Sequence, residues 1–80
     1  MLKIEVFYDG TEDNETPLKA EEIREKYGNK VDLYLLDISE ETAPAVYGTI
    51  NPPAVVLDGK QVYKLEGASS LAGIVKNAIF

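Results

Sequence analysis

The sequence contains no cysteine and no histidine. Without cysteine there are no disulfides, no thiol catalysis and no thiolate–metal sites. Without histidine the commonest metal ligand is missing, and so is the usual acid–base group near neutral pH. Basic residues are also few: eight Lys and Arg stand scattered against fourteen Asp and Glu, a net charge of −6. Nucleic acid and anionic lipid are held by clustered cations, so neither nucleic acid nor membrane is an expected partner. No apolar run approaches the ~18 residues of a membrane helix. The N-terminal MLKIEVFYDG reads directly as a strand rather than as a signal peptide. The default expectation is a cytoplasmic protein, and the Asn14-Glu15-Thr16 sequon is then a coincidence. Nothing in the composition implies a cofactor.

What is present is an ordinary globular composition, 45% hydrophobic and 28% charged over 80 residues. A chain of this length makes one domain, residues 1–80. It buries only about 60% of its unfolded surface, which limits its stability unless packing is good.

Residues 2–8, LKIEVFY, alternate: Leu2, Ile4, Val6 and Tyr8 point one way, Lys3, Glu5 and Phe7 the other, as in a strand. The polar segment TEDNET follows Asp9-Gly10, and Pro17 suits a first helical turn. Ala20, Ile23 and Tyr27 fall on one helical face, and Gly28 is a natural C-cap. VDLYLLDI, residues 31–38, reads as a second, nearly continuously apolar strand. A short helix is expected around residues 43–48, with Thr42 as cap, Pro44 in its first turn and Gly48 closing it. AVVL (54–57) and QVYKL (61–65) are strands joined by the hairpin signal Asp58-Gly59. Ser69 or Ser70 caps a final helix whose stripe is Leu71, Ile74, Val75, Ala78 and Ile79. The order is β-α-β-α-β-β-α, with a right-handed parallel first crossover. It predicts an α/β fold: a four-stranded mixed sheet flanked by helices on both faces.

That order, together with "YGTINPPAVVLDGK" and the closing "LEGASSLAGIVKNAI", resembles the thioredoxin-like family in its glutaredoxin-sized form, over essentially the whole chain. The resemblance implies a cis-proline at Pro53, in the loop Asn51-Pro52-Pro53 before the third strand. It also implies that the family's cysteine-bearing loop corresponds to Thr11, Glu12, Asp13 and Asn14, with Thr11 and Asn14 where the cysteines would stand. Thiol–disulfide exchange needs a thiolate, and a threonine hydroxyl cannot replace it without a base. The residue before the family's cis-proline pairs with glutathione or peptide through its N–H and C=O. Here that residue is Pro52, which has no N–H.

Other polar and aromatic groups have plainer structural readings. Asp9, Glu12, Asp13 and Glu15 offer oxygen ligands, but without EF-hand spacing, and carboxylates near a helix start are favoured in any case. Tyr8 stands about where some glutathione transferases place a thiolate-stabilising tyrosine; a core or rim aromatic is the plainer reading. The Glu21-Glu22 and Glu40-Glu41 pairs do not face each other on a helix. The second strand lies at the sheet edge in this topology, and an edge this apolar invites pairing with another chain. The expected interface is Val31, Leu33, Tyr34 and Leu35, and the expected function is non-enzymatic binding of a protein partner or a homodimer. The alternative is small-molecule or glutathione-type binding in the cleft beside the Pro52-Pro53 loop.

Overall fold

A computed structural model describes residues 1–79. The sheet is built from β1 (Leu2–Tyr8), β2 (Val31–Asp37), β3 (Ala54–Leu57) and β4 (Gln61–Lys64); the α-helices are α1 (Glu15–Tyr27) and α2 (Ser70–Ile79). The strand order is β2-β1-β3-β4. β1 and β2 run parallel, while β3 is antiparallel to both β1 and β4. This is an α/β fold with a four-stranded mixed sheet and two α-helices.

The register assigns every strand residue a face. Ile4, Leu33 and Leu57 align on one face, with Val6, Leu35 and Val55 beside them. Ala20 and Ile23 of α1 and Leu71 and Val75 of α2 complete a single buried cluster with these residues. Leu71 and Val75 are fully buried, each contributing about 1.5–3 kcal/mol relative to exposure. Both α-helices therefore cover the same face.

The opposite face carries Glu5, Tyr34, Val56 and Val62 in one row and Phe7, Leu36, Ala54 and Lys64 in the next. The expectation of helices on both faces is corrected here. The segment expected as a helix at 43–48 is one 3-10 turn, Ala45–Tyr47. Pro44 is extended (ψ 131°) and Gly48 takes φ 72°, leaving three residues between two breaks. Val46 is 83% exposed, so no apolar stripe anchors a longer helix. Tyr47 alone reaches the sheet: its ring meets Phe7 edge-on at 6.1 Å, and its hydroxyl donates to Glu5 Oε1.

The β3–β4 hairpin closes through Leu57 O, which accepts from Lys60 N at 3.0 Å. Asp58 and Gly59 both adopt positive φ, as a primed two-residue turn requires. Asp58 ties this turn to β1: its N–H donates to Lys3 O, and its Oδ1 accepts from Lys3 N.

Candidate functional site

Three regions of the chain are the candidates to place. The loop 11–14 and the loop 51–53 leave the sheet at the same end, because Phe7 pairs with Ala54 and the next residues are Tyr8 and Pro53. The edge residues 31–35 lie across β1 from the proline loop.

Asp9, Thr11 and Asp13 of the first loop are turned onto the loop and the start of α1. Asp9 O accepts from Glu12 N and Asp13 N, and Asp9 Oδ1 accepts from Thr11 N and Thr11 Oγ1. Asp13 Oδ1 accepts from Glu15 N and Thr16 N, and Asp13 Oδ2 accepts from Thr16 Oγ1 at 2.5 Å. Asp13 thus satisfies the open N–H groups of α1, while Asn14 makes no side-chain cap. Burial pushes the Asp13 carboxyl up, but hydrogen bonds from the Thr16 hydroxyl, Thr16 N–H and Glu15 N–H outweigh it and hold it below the ordinary range. Among the described residues, no three acidic side chains converge as a metal site would need.

Asp37, at the end of β2, anchors the same loop. Its Oδ1 accepts from Gly10 N at 2.9 Å and from Ser39 N and Ser39 Oγ. The Ser39 hydroxyl, then the Gly10 N–H, hold its carboxyl below the ordinary range. Tyr8 is pushed the other way, up, by burial and then by Asp37, Glu40 and Glu41. An acidic surround of this kind disfavours an anion at Tyr8, the reverse of what thiolate stabilisation needs.

In the proline loop the Pro52–Pro53 bond is cis. Pro53 O accepts from Leu65 N, and Pro52 O accepts from Lys64 Nζ at 2.9 Å. The nearest groove is lined by Thr49, Ile50, Asn51, Ala54, Val62 and Lys64, and includes no residue of Thr11–Asn14.

β2 is an edge strand. Ile38 N bonds Tyr8 O, so even-numbered residues of this strand turn their backbone groups to β1 and odd-numbered residues turn theirs outward. Val31, Leu33 and Leu35 therefore present the open edge. Their side chains do not: Val31 and Leu33 are buried, and Leu35 packs against the core. Tyr34, 46% exposed, is the one member of the expected interface whose side chain is freely presented.

Arg24, which no pattern in the sequence singles out, guards part of this edge. Its Nη2 donates to Leu33 O at 2.8 Å, and its Nη1 bonds Glu21 Oε1 at 2.5 Å. Beside it runs a groove of about 540 Å³ along residues 33–36, walled also by Lys3, Glu5, Arg24 and Glu41. Glu5 is only 8% exposed, a carboxylate in the sheet itself. The alternation of β1 sets Glu5 on the face opposite Ile4 and Val6; nothing local signals that Tyr47, 42 residues away, shields it.

The chain matches no protein-family model and no curated protein.

Proposed function

We propose that the chain is a thioredoxin-like module without redox chemistry, which binds a protein partner or a second copy of itself along β2. The strand order β2-β1-β3-β4, with one parallel and two antiparallel pairings, supports the fold reading. The absence of cysteine removes the nucleophile of thiol exchange. The single observation that carries the binding role is the open edge: Val31 and Leu35 point both backbone groups outward and Leu33 its N–H, its C=O being held by Arg24, beside a groove of about 540 Å³. Strand addition uses such groups for affinity and the flanking side chains for selection.

Glutathione-type binding is the less favoured reading. Pro52 has no N–H to offer, and its C=O is occupied by Lys64. The first loop satisfies itself, and Glu40 and Glu41 surround the neighbouring Tyr8.

A proline at residue 35 tests the edge directly. Leu35 N–H points away from β1, so Leu35→Pro removes an outward donor without breaking the ladder. The expected result is a variant that folds but loses both partner capture and any concentration-dependent mass seen by light scattering. Equal behaviour of the variant and the parent chain would overturn the edge reading.

A further inference from the structure

The groove along β2 holds an acceptor that the fold leaves unused. Tyr47 Oη donates to Glu5 Oε1, and Lys3 Nζ stands 4.0 Å from that same oxygen. Glu5 Oε2 has no partner among the described residues, although the residue is only 8% exposed and lines the groove. No fully enclosed side-chain oxygen lacks a partner among the described residues, so Oε2 keeps some exposure on a residue that lines the groove. A carboxylate this shielded from water gains from a charged donor more than a surface carboxylate does.

The charged wall of the groove holds two cations, Lys3 and Arg24, and two carboxylates, Glu5 and Glu41. Glu41 makes no ion pair among the described residues. The two cations in the wall are engaged: Arg24 by Glu21 and Leu33 O, Lys3 by Glu5 and by the Tyr34 ring, 5.8 Å from its centroid. A second copy of this chain would bring another −6 to the contact, which opposes self-pairing. A basic partner meets the opposite situation.

Geometry then narrows the partner. On the open face of the sheet, Tyr34 stands between Glu5 and the edge. A strand added outside β2 lies about 9.6 Å from β1, two strand spacings of about 4.8 Å. Only a long side chain crosses Tyr34 to reach Glu5, its methylene stem on the ring and its charged end at the carboxylate. We propose that this groove takes an extended peptide segment carrying a lysine or arginine, paired by its backbone to the Leu33 N–H and to Leu35, with the basic side chain laid over Tyr34 and donating to Glu5 Oε2. The inference rests on the edge reading and adds the chemistry of the partner.

The test uses the full chain and amide shifts in solution, with acetyl-Thr-Val-Lys-Val-Thr-amide, the same peptide with Glu for Lys, and n-butylammonium as probes. The Lys peptide is expected to move the Leu33 and Leu35 amides and to bind at least about tenfold more tightly than the Glu peptide. Glu5→Gln, which keeps an oxygen for Tyr47, is expected to abolish that preference while both peptides still bind. The comparison of peptides on the parent chain stands even if the variant does not fold. Equal affinity for the two peptides overturns the charge selection and leaves the edge reading intact. No movement at Leu33 or Leu35 with either peptide overturns both. Butylammonium binding as tightly as the Lys peptide overturns strand pairing, and shifts that appear on concentration alone assign the groove to a second copy.

Discussion

Asp13 accepts from three donors in the first turn of α1, and one of them, the Thr16 hydroxyl, belongs to a fully buried residue. Asp13→Ala removes the cap and leaves that hydroxyl unpaired, so a loss of about 1–2 kcal/mol is expected in urea denaturation. Asp13→Asn keeps an acceptor and should lose less. The short-range part of this was legible, since a carboxylate three residues before a threonine at a helix start is a local pattern. Gly10 was not legible in the same way. A Cβ there would stand 2.0 Å from Asp37 Oδ2, and the pair is 27 residues apart in sequence. Gly10→Ala must push Asp37 off both the loop and Ser39. A destabilisation of about 1–3 kcal/mol is expected by the same measurement, and an unchanged urea midpoint would show that the anchor is dispensable.

The elements with strong local codes formed where the sequence placed them. The alternation of residues 2–8, the Asp58-Gly59 turn and the apolar stripe of the last helix each satisfy their own geometry before any tertiary contact. Residues 43–48 lack such a code, so the proline and glycine breaks decide, and a single turn results. Its attachment depends on Tyr47. Tyr47→Phe keeps the edge-on contact with Phe7 but removes the donor to a buried carboxylate, which should cost about 1–3 kcal/mol. Faster amide exchange at Val56, which lies in the row of Glu5, is the expected signature. The edge strand was legible from its apolar run, but its guard was not, because Arg24 acts across the gap between helix and strand. Arg24→Ala frees Leu33 O and lengthens the open edge. Faster heat-induced aggregation by light scattering is expected in high salt, where charge repulsion is screened. An unchanged rate would mean that the guanidinium protects nothing.

Across the whole molecule the two faces of the sheet carry different burdens. Both α-helices pack on one face, while on the other Phe7, Ala54 and Val56 are buried without an α-helix over them, and Tyr47 meets Phe7 edge-on and bonds Glu5. The sequence showed the alternation that separates these faces, but not that the second would be without an α-helix. No side chain titrates ordinarily between about pH 5 and 9, since histidine and cysteine are absent. The shifted groups lie outside that interval. Asp13 and Asp37 are held low by their hydrogen bonds, net of the burial that opposes them at both. The unfolded chain therefore takes up their protons at a pH where the folded chain does not. Their stabilisation is complete above about pH 4 and is lost as pH falls through the lowered values. Tyr47 is raised chiefly by its hydrogen bond to Glu5, Tyr34 by its bond to Asp32, and Tyr8 by burial. Their contribution is complete below about pH 10 and is lost as pH rises through the raised values. Urea midpoints measured from about pH 3 to about pH 11 should therefore form a plateau with one fall at each end. Tyr47→Phe should flatten the alkaline fall, and Asp13→Ala the acid one; a slope across neutral pH would contradict this account of what holds the two ends of the sheet.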